Sequence, residues 1–268
     1  MKSVVGSRVT GGLFDGAVAA ALGGAIGIGL AAFFPMTCAG CGSRLGWGCA
    51  MPICERCRPL LRRPAEPACG GCGRPIAGAG RADDDRLRCG ACRRRPPPWR
   101  SLVAAYLYLP PLVAVVKALK FGRAEHLGEA LAAPMAASCA HLAAELDVVA
   151  PVPLPWPRLL ARGYNQAEAI ARPLAAILGV PCRALLRRRP RPRQALLSRD
   201  ERQRNLAGAF LARGPALAGA RVLLVDDVMT TGATLTAAAV ALRRAGAAEI
   251  VAAVAARTPD ASWGEPER

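Results

Sequence analysis

The sequence predicts an α/β domain built on a parallel sheet with flanking helices, preceded by a small cysteine-rich metal module. Three observations carry that prediction. From residue 101 onward, short apolar runs alternate with Ala- and Leu-rich amphipathic stretches, the pattern of buried parallel strands joined by helices. Before it, four Cys-x2-Cys pairs crowd residues 38 to 92. Near the end, four apolar residues, Val222 to Val225, run into two adjacent carboxylates and a Thr-Thr-Gly-Ala-Thr loop. A chain of 268 residues has room for one α/β domain of roughly 150 residues and a smaller module.

The segment ahead of the cysteines is apolar. Residues 16–36 hold no charge over 21 positions, a length that spans a bilayer. Five glycines and many alanines make it a poor membrane helix. It reads as a weak signal anchor, a small-residue membrane helix or an over-long start, so residues 1–32 are kept apart from both domains and membrane insertion is not expected. Gly27-x-Gly29-x-x-Ala32 imitates a dinucleotide fingerprint, but Phe33-Phe34-Pro35 stops the helix that should follow.

Cys38-x2-Cys41 is followed twelve residues later by Cys54-x2-Cys57, and Cys69-x2-Cys72 sixteen residues later by Cys89-x2-Cys92. Each pair is a knuckle that sets two thiolates on one side of a tetrahedron, and a second knuckle closes it. Two such sets predict a double zinc ribbon over residues 33–97 with two structural Zn²⁺. Four sulfur ligands leave no open position, so the module supplies folding energy and surface rather than chemistry. Cys49 reads as a loop thiol, and Cys139 and Cys182 as buried cysteines. Thiols in this pattern indicate a reducing compartment. Arg, Pro and Gly fill the spaces between knuckles, and residues 93–100, RRRPPPWR, read as a stiff linker where the domain boundary belongs. His126 and His141 lie outside both ribbons; the first reads as solvent-facing and the second as part of a helix.

The second domain, residues 98–258, reads as helices over 112–119 and 127–146, a strand over 147–152 and a rigid proline loop over 153–157. Helix 167–178, strand 222–225, helix 235–245 and strand 250–255 follow, and residues 259–268 read as a frayed tail. Loops beyond the carboxyl ends of parallel strands are where such sheets bind ligands. Arg162, Asn165 and Gln166 stand in one such loop and form a candidate grip for an anionic group, which the resemblance given below makes a pyrophosphate, since guanidinium forks suit phosphates. Asn165 as a plain helix cap is the competing reading. The other loop carries Asp226, Asp227, Val228, Thr230, Thr231, Gly232, Ala233 and Thr234. Small hydroxyl residues and glycine at a helix N-terminus cradle phosphate. The two carboxylates upstream sit where a sugar's vicinal hydroxyls, or a hydrated Mg²⁺, would be held. No Gly-x4-Gly-Lys-Ser/Thr accompanies the motif, which excludes a nucleotide hydrolase built on a Walker-B strand.

Strand, two acids and Thr-Thr-Gly-x-Thr resemble the phosphoribosyl-pyrophosphate (PRPP) motif of type I phosphoribosyltransferases, with Ala233 where many members carry a second glycine. Taken with the double ribbon, Lys-Phe-Gly (120–122), Pro-Val-Pro-Leu (151–154), Arg-Gly-Tyr-Asn-Gln (162–166), Gln194 and Arg202-x-x-Asn205, residues 33 to about 257 resemble the ComF/GntX-like family. That resemblance implies a type I phosphoribosyltransferase-like fold and a bacterial cytoplasmic protein tied, in some members, to competence and incoming DNA. It further implies PRPP and Mg²⁺ as ligands, with Asp226, Asp227 and Arg162 as the catalytic candidates and an unidentified nitrogenous acceptor. No segment builds an evident nucleobase pocket, so a non-catalytic PRPP sensor or scaffold that meets single-stranded DNA or a DNA-uptake protein stays open beside the enzyme.

The formal charge of +17 also invites a nucleic-acid partner. Nearly all the basic residues are Arg, with Lys at 2, 117 and 120 only, and Ala, Gly and Pro saturate the chain, which weakens that reading. Two Zn²⁺ on eight thiolates would lower the charge by four. Residues 187–204 hold eight arginines against two acids; such a run reads as a mobile solvated segment, and its place corresponds in the resemblance to a flexible hood over PRPP.

Overall fold

The computed structural model describes residues 37–46, 51–76, 87–189, 208–213, 217–259 and 263. The expectations for segment 16–36, for Cys49, for the arginine run from 190 onward and for the tail from 260, Trp263 apart, lie outside these residues.

Four strands form one parallel sheet: β1 (Ser101–Leu107), β2 (Val148–Pro151), β5 (Arg221–Met229) and β6 (Glu249–Arg257), in the order β1-β6-β5-β2. All three pairings are parallel, with Val222 opposite Ile250 and Val148 opposite Val222. Alternate residues feed opposite faces. Val149, Leu223, Val225, Val251 and Ala253 join α2 (Leu112–Phe121), α3 (Leu127–Cys139) and α5 (Gln166–Leu178) in one core. Val148, Ala150, Val222, Leu224, Ile250 and Ala252 join α6 (Ala233–Arg244) in the other. Burial on both faces is why these strands read as continuous apolar runs. Strand β2 is capped at its free edge by the chain around Cys182, which pairs with Val149, a protected sheet edge.

Local chemistry explains the helix ends. Asn165 caps α5, its Oδ1 accepting from Ala167 N at 3.2 Å, and Gly179, at φ 71°, closes it. Helices α3 and α5 cross so closely that a Cβ on Gly128 would meet the Ala169 carbonyl oxygen at 2.4 Å.

Several sequence expectations are corrected. The carboxylates do not end their strand: β5 continues to Met229, because β6 keeps pairing with it as far as Met229–Arg257. The proline loop turns into α4 (Trp156–Arg162), with Pro157 in the first turn, where no N–H is needed. The long helix expected to residue 146 stops as α3 at Cys139 and continues as a 3₁₀ turn, Ala140–Glu145. Strand β1 was not foreseen. Cys182 is only partly buried, whereas Cys139 is fully so. Residues Leu186–Arg188 (β3) pair antiparallel with Phe210–Ala212 (β4), a small ribbon that brackets the arginine run.

The stretch expected to be a stiff spacer is anchored. Residues Gly90–Arg94 form a short helix, α1. Trp99 is buried and donates from Nε1 to Gly71 O at 2.9 Å, and Arg100 N donates to Ile250 O at 2.7 Å. Cys38, Ile53 and Cys57 pack into the same core as Leu112 and Val115.

Candidate functional site

Because all four strands are parallel, their carboxyl ends share one edge, and a cavity of about 720 Å³ opens there. Strand β5 delivers Asp226 and Asp227 to its floor, both buried. Each carboxylate captures a backbone amide: Asp227 N donates to Asp226 Oδ1 at 2.9 Å, and Val228 N to Asp227 Oδ1 at 2.8 Å. These bonds fix both side chains near the carboxyl end of β5. Burial, and then the neighbouring Asp227 charge, push the Asp226 carboxyl well above the usual carboxylate range. Asp227 has a partner the sequence reading did not assign. Lys120, at the end of α2, places Nζ 2.8 Å from Asp227 Oδ2.

Thr230 and Thr234 line the cavity with Val228, while Thr231, Gly232 and Ala233 form the turn behind them. Gly232, at φ 78°, is the N-terminal cap of α6, so the free amides of that helix open toward this loop. A side chain there would be strained and would also meet Met229 Cε at 2.7 Å.

Facing the acids, Arg123, Arg158, Arg162 and Arg188 line the wall with Tyr108 and Tyr164. Arg162 donates to Gln166 Oε1 at 2.7 Å and lies over the Phe121 ring at 5.1 Å. Gln166 is buried on the cavity wall. Asn165 does not line it: besides capping α5, its Nδ2 donates to Val152 O at 3.0 Å. Of the proposed grip, Arg162 and Gln166 therefore reach the cavity and Asn165 shapes the loop. Arg188 arrives on β3. Burial, then the charge of nearby Arg158, lower its pKa, as expected of cations gathered where an anion belongs. Arg123 holds a left-handed backbone, φ 52°, uncommon for a non-glycine residue and frequent at binding sites. The Tyr164 hydroxyl bonds the Leu119 carbonyl and ties this loop to α2.

The eight cysteines form two tetrads, Cys38/Cys41/Cys54/Cys57 and Cys69/Cys72/Cys89/Cys92, each with its sulfurs within 4.8 Å of one another. A zinc tetrahedron with bonds near 2.3 Å has sulfur–sulfur edges of ~3.8 Å. Cys41–Cys54 and Cys72–Cys89 stand at 3.6 and 3.7 Å. Backbone amides point at the sulfurs, Gly71 N and Cys89 N donating to Cys69 Sγ at 3.3 and 3.2 Å. So crowded, the four sulfurs cannot all ionise unaided. Hydrogen bonding from Cys72 holds Cys69 down at about 4, while burial pushes Cys92 up to about 12. A divalent cation removes that conflict, and the donor set fits structural zinc. Cys139, outside both tetrads, is pushed up to about 12 by burial and is inert. His126 and His141 are both exposed and outside every tetrad.

The phosphoribosyl transferase domain family matches residues 163–267. "DNA utilization protein YhgH" of Escherichia coli O6:H1 is 35% identical over 222 residues, covering 77% of this chain and 93% of that protein. Its Salmonella typhimurium counterpart is 36% identical over 221 residues, with the same coverage. "Competence protein F" of Haemophilus influenzae is 30% identical over 207 residues, covering 74% and 87%. Among solved structures, glutamine PRPP amidotransferase from B. subtilis, complexed with ADP and GMP, aligns at 22% identity over 52% of this chain and 30% of that one, with a TM-score of 0.36, too partial to carry weight. Identity of this order across nearly the whole length of YhgH, with two cysteine tetrads ahead of the matched domain, means that the chain belongs to the ComF/GntX-like family.

Proposed function

We propose that the cavity binds PRPP with Mg²⁺ and transfers its phosphoribosyl group to a nitrogenous acceptor. The observation that carries this reading is the Asp226–Asp227 pair set directly before a phosphate-cradling loop and opposite a wall of arginines. The amides opening α6 and the hydroxyls of Thr230 and Thr234 suit the 5-phosphate. Asp226 and Asp227 suit the ribose 2- and 3-hydroxyls. Arg162, with Arg188 and Arg123 around it, suits pyrophosphate. Two carboxylates fit a hard cation that keeps most of its waters, and the Lys120 ammonium already occupies a cation's place beside Asp227. Mg²⁺, when bound, offsets the charge of the departing pyrophosphate.

In the reaction the C1–oxygen bond breaks and pyrophosphate leaves with the electron pair. The acceptor nitrogen's lone pair forms the new bond to C1, and its proton goes to solvent or to pyrophosphate. The residues named hold both ends of PRPP and stabilise charge as it develops. Lys120 is within reach to turn from Asp227 to a phosphoryl oxygen. Thiolate tetrads suit a reducing cytoplasm, and the names of the relatives favour a role in DNA utilisation.

One observation favours a second reading. Phe121 is 74% exposed beneath Arg162, beside the arginine wall, and an aromatic ring next to arginines is a stacking platform for single-stranded nucleic acid. Incubation with PRPP, Mg²⁺ and candidate nitrogenous acceptors decides the transfer reading, which expects pyrophosphate release. Its absence with every acceptor, together with oligonucleotide binding that weakens steeply with salt, would favour the binding module.

A further inference from the structure

Two side chains run from one cysteine knuckle to the phosphate loop. Arg257, buried at the end of β6, donates from Nε to Cys72 O at 2.9 Å. From Nη1 it donates to Thr230 O at 2.8 Å and Met229 O at 3.3 Å, and it also bonds Thr258 O. Trp99, buried in the core that α6 shares with the sheet, donates to Gly71 O at 2.9 Å. Its ring edge closes the space beside Gly232: a Cβ added there would stand 3.6 Å from Cη2. The two carbonyls held belong to consecutive residues of the Cys69–Cys72 turn; on the loop side Arg257 holds the start of the phosphate cradle, and the indole flanks its left-handed glycine.

That turn takes its shape from the sulfurs. Gly71 N donates to Cys69 Sγ, and Gly73, at φ 73°, donates to Cys69 O at 2.7 Å. The directions of the Gly71 and Cys72 carbonyls are therefore set by the closed knuckle. A guanidinium is a planar fork, so it transmits a displacement of one carbonyl to the others it holds. The first tetrad has a different neighbourhood: Cys38 and Cys57 pack with Leu112 and Val115, and Gly40 abuts Pro111.

We propose that Arg257 and Trp99 are positioning residues that make the phosphate loop's conformation depend on the second tetrad, so that the loop is set for an anionic ligand only while that tetrad is closed around its cation. The identity of the ligand as PRPP rests on the function proposed above; the coupling of tetrad to loop does not.

Hydrogen exchange of the Thr236 and Thr258 amides, which donate to Gly232 O and Met229 O at 2.8 and 2.9 Å, tests it on the zinc-loaded full chain and on Arg257→Met, Arg257→Lys and Trp99→Phe, with zinc content measured in each. The expectation is exchange about tenfold faster at these two amides in Arg257→Met, the scale of losing a charge-assisted hydrogen bond. Residues 222–225 should be unchanged, both zinc ions retained, and Arg257→Lys and Trp99→Phe intermediate. PRPP affinity should fall in the same order. By linkage, PRPP should also raise the equilibrium zinc affinity of the second tetrad and not that of the first, read by competition with a chelator. Wild-type protection at the Thr236 and Thr258 amides in folded variants that keep both zinc ions would overturn the proposal. Arg257→Lys and Trp99→Phe preserve charge or ring, so they report should Arg257→Met fail to fold. If wild type binds no PRPP, the functional reading fails by itself, and the exchange measurement still decides the coupling.

Discussion

Asp226 carries the sharpest conflict at the level of single residues, because a carboxylate needed in its charged form is buried beside another. Its raised pKa means that its stabilising contribution is full below the unfolded value, about 3.9, and is lost as pH rises through the folded one. Asp226→Asn should therefore stabilise the ligand-free protein at neutral pH by about 1 kcal/mol while abolishing Mg²⁺-dependent binding. The stability gap over wild type should widen as pH rises above the unfolded carboxylate value, about 3.9, in thermal melts at matched pH; a gap that stays constant with pH would show that Asp226 does not carry the shift. Lys120 works in the opposite direction. Its removal in Lys120→Met strands the Asp227 carboxylate and should cost about 2 kcal/mol, less than the roughly 3–5 kcal/mol of a fully buried pair because the ammonium is partly exposed. The acids and the threonine loop were legible from sequence because they lie in one continuous run. Lys120 with Arg123, Arg188 and Arg257 reach this part of the molecule from three other segments. Lys120 left a trace in the Lys-Phe-Gly run and Arg188 in the arginine run, whereas Arg123 and Arg257 left none.

At the level of elements, strands β2, β5 and β6 and helices α2, α5 and α6 follow from periodicity, since burial on both faces or on one stripe writes itself into the residue pattern. Strand β1, Ser-Leu-Val-Ala-Ala-Tyr-Leu, carries alanines and a tyrosine that mask its period, and only pairing with β6 reveals it. Helix α4 was hidden by three prolines, although one of them starts it. The contact between α3 and α5 offers a test with no ligand involved. Gly128→Ala puts a methyl group against backbone that cannot yield, with both the carbonyl carbon and oxygen of Ala169 within 2.5 Å. The helices must separate, and the expected loss is about 2–3 kcal/mol, read as a lower denaturation midpoint with unchanged zinc content.

For the whole molecule, composition suggested a metal module joined through a stiff spacer to an independent domain. The packing of Ile53 and Cys57 among the residues of α2, and of Trp99 against Gly71, joins them more closely than spacing alone could reveal. Residues 38–92 alone would be expected to unfold first on chelation were the module autonomous. With this packing, zinc removal should instead lower the melting point of the whole chain in one transition, with exchange protection in α2 lost together with that of the first tetrad. A domain that melts at an unchanged temperature in chelator would show the opposite. Among the described residues no helix is long and apolar enough to cross a membrane. The charge of +17 acquires local meaning at the cavity, where four arginines face two acids. That arrangement makes a ligand of several negative charges bridged by a divalent cation the central claim. Calorimetric titration of the zinc-loaded protein with PRPP, with and without Mg²⁺, alongside an Asp226→Asn, Asp227→Asn double variant, tests it most directly. The account predicts saturable binding that requires Mg²⁺ and vanishes in the double variant; a wild-type protein that binds no PRPP, or a double variant that binds it as well, would contradict it.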